Sequence, residues 1–270
     1  MSPLPSVDLK GNKMVNRRVN TYHRHGKGEH AVLVLHGWFG DARAFAPMEA
    51  GLDGHRCSYF FMDSRGYGGM RGVAGDYTMD EIARDALALA DSLGLATFSV
   101  IGHSMGGMAM ERLALLAPAR LRKLVALAPV PSCGVALDDA ARALFRDAAG
   151  SLPARRAIID RSTGGRLSAA WLDWKAQYSW ASAAPAAFAR YFLAWSDTDF
   201  SGEVKQARLD TPLLALVGRH DPRFDAALMR RTCLAWYPQA KLEVLDNAGH
   251  YPMNETPLAL AASIGAFLLA

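Results

Sequence analysis

The segment Gly102-His103-Ser104-Met105-Gly106, followed by Gly107, sets a serine between glycines two residues to either side. A serine at a sharp strand-to-helix turn carries strained backbone angles and crowded neighbours, and glycines at those positions remove the side chains that would collide. The start of the following helix also places free N–H groups and a positive dipole end beside the hydroxyl. Such a serine is built to attack a carbonyl. Its hydroxyl is a poor nucleophile at neutral pH, so the reading requires a base and a group that orients it.

The chain has eight histidines, and position sorts them. His23, His25 and His30 precede the first core strand, His36 ends it, His55 precedes the next strand, His103 adjoins the serine but points the other way, and His220 sits next to Asp221. Only His250, in Asn247-Ala248-Gly249-His250-Tyr251-Pro252, follows the last strand on a loop above the sheet edge. His250 is the expected base. Asp221, in Gly218-Arg219-His220-Asp221-Pro222, follows the preceding strand directly and is the expected acid that fixes the imidazole tautomer. The chain order is then Ser, Asp, His. Asp225 and Asp246 remain rivals for the acid.

Acyl transfer also needs two N–H donors aimed at the developing oxyanion. The backbone of Met105 supplies one. The loop His36-Gly37-Trp38-Phe39-Gly40 supplies the other, assigned to Trp38, with its indole and the Phe39 ring lining an acyl pocket.

Positioning these groups takes a particular frame. Short apolar runs at Ala31–Leu35, Cys57–Met62, Phe98–Ile101, Leu124–Leu127, Pro212–Val217 and Lys241–Leu245 read as strands buried on both faces. Between them lie helical patterns. One opens at Thr78, with Glu81 completing a capping box, carries Ile82, Leu87, Leu89, Ala90 and Leu93 on one face, and ends at Gly94. Others run Met105–Leu116, Ala226–Trp236 and Pro257–Leu269. This alternation predicts an α/β protein with a doubly wound, mostly parallel sheet. The rhythm breaks from Pro129 to Asp210, where Leu137–Ala148, Ala154–Asp160, Ala169–Trp180 and Pro185–Trp195 read as short helices. The expected organisation is a core of residues 1–130 and 210–270, with 131–209 inserted as a helical cap over the C-terminal sheet edge.

Composition narrows the function classes. Of the 270 residues 51% are hydrophobic and 21% charged, which suits a globular enzyme. The net charge of +4 comes from scattered Lys and Arg, with Arg17-Arg18 and Arg155-Arg156 the nearest approach to clusters, so no nucleic-acid partner is expected. Cys57, Cys133 and Cys233 form no C-x-x-C pair and are expected as buried thiols, with neither disulfide nor metal. Met1–Lys13 lacks the apolar core of a secretory leader, and no apolar run approaches the roughly 20 residues that cross a bilayer. A cytoplasmic protein without membrane association or cofactor is the expectation.

Taken together, Leu35-His36-Gly37-Trp38, Asp63-Ser64-Arg65-Gly66-Tyr67-Gly68, Gly102–Gly107 and Gly249–Pro257 resemble the oxyanion loop, the D-x-R-G-x-G turn, the serine elbow and the histidine segment of the α/β-hydrolase superfamily, in its capped serine esterase-like branch. The resemblance spans nearly the whole chain and implies a Ser104–His250–Asp221 triad acting through an acyl-enzyme. It demotes dehalogenases and epoxide hydrolases, which carry an aspartate at the elbow. Carbon–carbon bond hydrolases often have Asn where this chain has His103. Lactonases and thioesterases share the machinery, and cofactor-free perhydrolases share a tryptophan like Trp38. A ligand receptor on the same fold is the reading from another class. The insert carries four of the six tryptophans, and Trp171, Trp174 and Trp180 are expected, with Phe39, to bind an apolar or aromatic small-molecule substrate. Its arginines, Arg142, Arg146, Arg155, Arg156, Arg161, Arg166 and Arg190, open the option of a carboxylate-bearing one, with solvated helix faces the favoured reading of those charges. Oligomeric state is not legible.

Overall fold

The computed structural model describes residues 19–270; Met1–Lys13 and Arg17-Arg18 lie outside the described residues. Strands β1 (Tyr22–His25), β2 (His30–Leu35), β3 (Cys57–Met62), β4 (Phe98–His103), β5 (Leu121–Leu127), β6 (Leu213–Gly218) and β7 (Ala240–Leu245) make one sheet in the order β1-β3-β2-β4-β5-β6-β7. The edge strand β1 runs antiparallel to β3, and every other described pair is parallel. β2, β3, β4 and β6 are buried along their whole length, which is why they read as continuous apolar runs. β1, with the sequence YHRH, escapes that pattern because one of its edges is unpaired and every second residue faces water.

In chain order the helices are α1 (Ala46–Glu49), α2 (Met79–Ser92), α3 (Met105–Leu116), α4 (Asp139–Asp147), α5 (Leu152–Ser162), α6 (Ala169–Ser182), α7 (Pro185–Asp197), α8 (Ser201–Ala207), α9 (Ala226–Arg231), α10 (Cys233–Trp236), α11 (Pro252–Glu255) and α12 (Pro257–Leu269). α2 buries Ile82, Ala86, Leu89 and Ala90 on one face. Thr78 caps it, accepting from the Glu81 N–H at 3.1 Å, a contact worth about 1 kcal/mol. The expected capping box is only half formed. The Glu81 carboxylate turns instead to the N–H groups of Asp76 and Tyr77, both 2.9 Å away, because the chain before the helix folds back over its first turn.

The pattern read as one helix over Ala226–Trp236 is two. The break falls at Thr232 (φ −119°, ψ −96°), whose hydroxyl donates to the Leu228 carbonyl. Helices α4 to α8 form the insertion between β5 and β6, α8 being a helix the sequence pattern did not announce. All three cysteines are free; Cys57 and Cys233 are buried, but Cys133 is exposed where the chain enters the insertion. No described helix is long and apolar enough to cross a membrane.

Candidate active site

Ser104 stands between β4 and α3 with φ +53° and ψ −118°, a conformation that costs an L-residue about 1–3 kcal/mol and persists only where its surroundings impose it. The glycines around it act by making room. A Cβ on Gly102 would lie 2.4 Å from the Gly106 carbonyl oxygen, and one on Gly106 would lie 2.4 Å from that of Leu35. α3 can therefore begin directly against the ends of β4 and β2. A Cβ on Gly37 would come within 3.1 Å of the Ser104 Cβ, so the loop after β2 passes alongside the serine.

His250 Nε2 lies 3.0 Å from Ser104 Oγ, and its Nδ1 lies 2.6 Å from Asp221 Oδ2. The three form one hydrogen-bonded row, each less than a tenth exposed. The second carboxylate oxygen of Asp221 accepts from the N–H groups of Arg223 and Phe224, both at 3.0 Å, which fixes the oxygen facing the imidazole. The rival acids are engaged elsewhere. Asp225 caps α9 through the Leu228 N–H, and Asp246 pairs on the surface with Arg219.

Two side chains and one backbone bond hold the row from behind. His103 Nε2 donates to the backbone carbonyl of His250 at 2.8 Å. Burial, and next to it the neighbouring His250, holds the His103 imidazole well below its ordinary range, so it stays neutral. The almost fully buried Glu255 carboxylate accepts from the Gly249 N–H at 2.8 Å and the Tyr251 N–H at 3.0 Å, bracketing His250, and takes Arg166 as counter-ion at 3.0 Å. The His250 N–H donates to the Ser162 carbonyl at the end of α5, tying the loop to the insertion. Sequence reasoning passed over His103 and Glu255 because their partners are backbone groups from distant segments.

The backbone N–H groups of Trp38 and Met105 have no acceptor among the described residues. The loop carrying Trp38 is held firmly. The Tyr67 hydroxyl donates to the Trp38 carbonyl at 2.9 Å, and the indole N–H donates to the Phe188 carbonyl at 2.7 Å. At the loop's end Tyr178 donates to Asp41 Oδ1 at 2.5 Å. Burial alone would raise the Asp41 carboxyl, but the Arg43 guanidinium and the Tyr178 hydroxyl bonded to it keep it below the ordinary range. Trp38 stacks on Phe188 with ring centroids 3.9 Å apart, so this loop and helix α7 pack as one unit.

Ser104, His250 and Asp221 open into a cavity of about 530 Å³, walled by Trp38, Phe39, Val130, Leu144, Phe145, Ile158, Trp195, Phe224 and Tyr251. Of the aromatics expected as substrate-binding, Phe39 lies in this wall. Trp171, Trp174 and Trp180 do not, and that expectation is corrected. Trp174 and Trp180 are 49% and 38% exposed; Trp174 stacks on Tyr178 and Trp180 lies under the Arg155 guanidinium. Trp171 reaches Tyr251, with centroids 6.0 Å apart, from outside the wall. The aromatic wall comes instead from α4 and α7, through Phe145 and Trp195. Helical periodicity told which residues share a face but not which face met the cavity. Among the described residues no group of three or more His, Cys, Asp or Glu is arranged to hold a metal ion.

Comparison with known proteins fits this geometry. The chain is 36% identical over 108 residues to Serine hydrolase BPHL of Mus musculus, an alignment covering 38% of this chain and 37% of that protein. The chain thus spans well under half the length of the first curated relatives it matches. It is 26% identical over 208 residues to 3-oxoadipate enol-lactonase 2 of Acinetobacter baylyi, covering 76% of each. Its fold superposes on that of an esterase from Exiguobacterium antarcticum with a TM-score of 0.82 at 18% identity, covering 92% of this chain and 95% of that one. The profile of the alpha/beta hydrolase fold family matches residues 30–257, most of the chain, and the protein belongs to that family.

Proposed function

We propose that this protein is a serine hydrolase that cleaves a carboxylic ester, or a close relative such as a lactone or thioester, of an apolar or aromatic small molecule. The observation that carries this reading is the hydrogen-bonded row Ser104–His250–Asp221 opening into an apolar cavity. Relatives named as a serine hydrolase and an enol-lactonase support the bond class.

In this mechanism Ser104 Oγ attacks the carbonyl carbon while His250 Nε2 takes its proton. Asp221 holds the Nδ1 proton and stabilises the imidazolium. The N–H groups of Trp38 and Met105, free of protein acceptors and beside the serine, hold the oxyanion; the latter also sits at the positive end of α3. Collapse of the tetrahedral intermediate expels the alcohol, which takes the proton from His250. A water then gives a proton to His250 and attacks the acyl-enzyme, releasing the acid and restoring Ser104. Residues 131–209 serve as a cap over the core of 1–130 and 210–270, excluding bulk water and shaping the acyl pocket with Phe145 and Trp195.

The test is hydrolysis of p-nitrophenyl esters of graded chain length by wild type and Ser104→Ala. Sustained turnover that disappears in the variant supports the proposal. Absence of turnover, or turnover that survives the substitution, removes it.

A further inference from the structure

Two arginines line the cavity without a carboxylate of their own. Arg161, at the end of α5, and Arg223, just beyond the acid Asp221, both belong to its wall, and neither makes an ion pair or a side-chain hydrogen bond among the described residues. The contrast with their neighbours is direct. Arg142 holds Asp197, Arg156 holds Asp173, Arg166 holds Glu255 and Arg219 holds Asp246. The Arg223 guanidinium lies 5.8 Å from the Phe145 ring centroid, and Phe145 in turn stacks on Trp38, the two rings within 13° of parallel. Arg223 is thus placed one aromatic layer away from the loop beside the nucleophile. Arg161 is exposed and Arg223 half-buried, so a charge contact to them is partly screened by solvent.

Asp160 is the remaining charged side chain of the wall besides the triad acid. Counting Asp221, the wall sets two guanidinium groups against two carboxylates, but Asp221 is taken up by His250 and by the N–H groups of Arg223 and Phe224, which leaves Arg161 and Arg223 as the cationic groups without a partner among the described residues. The planar fork of arginine also matches a carboxylate in a bidentate manner.

We infer that the substrate carries a carboxylate at the end of an apolar chain or ring remote from the scissile bond, received by Arg161 and Arg223. This rests on the hydrolase reading above and names its substrate class.

The experiment uses matched p-nitrophenyl probes: half-esters of linear dicarboxylic acids, esters of monocarboxylic acids of equal length, and esters of ω-amino acids. At the best length the half-ester is expected to exceed the neutral ester roughly tenfold in kcat/KM, mainly through a lower KM, because the remote charge binds substrate and transition state alike. Arg223→Gln and Arg161→Gln should each pull that ratio toward one, and Arg223→Lys should keep part of it. Added salt should shrink the preference.

A half-ester no better than the neutral ester at any length, a preference for the ammonium-bearing ester, or a ratio untouched by both Gln variants overturns the inference. Should none of the esters turn over, the hydrolase reading fails on its own account. The same probes titrated onto Ser104→Ala, read by tryptophan fluorescence, then decide the anion site: tighter binding of the half-ester upholds it and equal binding rejects it.

Discussion

His103 donates from Nε2 to the backbone carbonyl of His250 across 2.8 Å, so the residue beside Ser104 holds the loop that carries His250. Because burial keeps His103 neutral, one ring nitrogen carries the proton that makes this bond. His103→Leu removes the donor and should lower kcat by roughly tenfold to a hundredfold through misplacement of His250. His103→Gln, which can still donate, should recover part of the loss. Equal defects in both variants, tracking lost thermal stability, would assign His103 a packing role only.

Asp221 should matter far more than its rivals. Asp221→Asn keeps the shape but favours the wrong imidazole tautomer, a change that in serine triads costs on the order of 10⁴ in kcat. Asp225→Asn leaves a good helix cap in place and should change neither rate nor melting temperature appreciably. Steady-state kinetics of the two variants give the ranking, and a greater loss in the Asp225 variant would reassign the acid.

The cavity wall separates the tryptophans sharply. Trp195→Ala and Phe145→Ala should raise KM several-fold and shift chain-length preference, because both rings form the wall. Trp174→Ala, at a site 49% exposed, should leave kcat/KM within about twofold, the usual scale of effect for a surface change away from the site. An altered length preference in the Trp174 variant would show that α6 moves into the cavity during turnover.

What could be read from the sequence divides along physical lines. Met105–Leu116 and Pro257–Leu269 were legible to the residue because Gly, Pro and the elbow mark their ends. The order of Ser104, Asp221 and His250 was legible because each follows a recognisable strand, and parallel strands bring their C-terminal ends to one edge. β1 was not, since its polar alternation carries no apolar run. Glu255 was not, because the N–H groups of Gly249 and Tyr251 that it receives are presented only after Pro252–Glu255 turns back as a helix. Trp171, Trp174 and Trp180 were misassigned for a related reason: α6 has aromatic groups around much of its circumference, and only packing decides which of them meets the cavity.

The same clamp can be tested by substitution. Glu255→Ala strips two N–H groups and Arg166 of their shared acceptor, and leaving buried donors unpaired costs about 1–3 kcal/mol each. The loss should appear both as a lower melting temperature and as a lower kcat, since the freed loop carries His250. Arg166→Gln leaves the carboxylate and its two backbone bonds in place, and its effect on kcat should be smaller. If Arg166→Gln were the more damaging change, the ion pair rather than the loop bracket would be the element that matters.

Glu111 gives the molecule a pH-dependent stability of definite sign. It lies on α3, is 2% exposed, and accepts from the Ser132 N–H at 2.6 Å where the insertion begins. Burial pushes its carboxyl from the ordinary 4.5 up to about 7. In the unfolded chain the group loses its proton as pH climbs through 4.5, while in the fold it keeps it until about 7. Over that window the unfolded state binds fewer protons, so stability falls as pH rises, by roughly 3 kcal/mol in all. Glu111→Gln keeps an acceptor for Ser132 but cannot ionise. Melting curves of the two proteins should therefore separate progressively between pH 4.5 and about 7, with the variant increasingly the more stable, and then run parallel at higher pH. Curves that keep a constant gap across the window would mean that Glu111 does not titrate there, and that its buried carboxyl is charged in the fold at all these pH values.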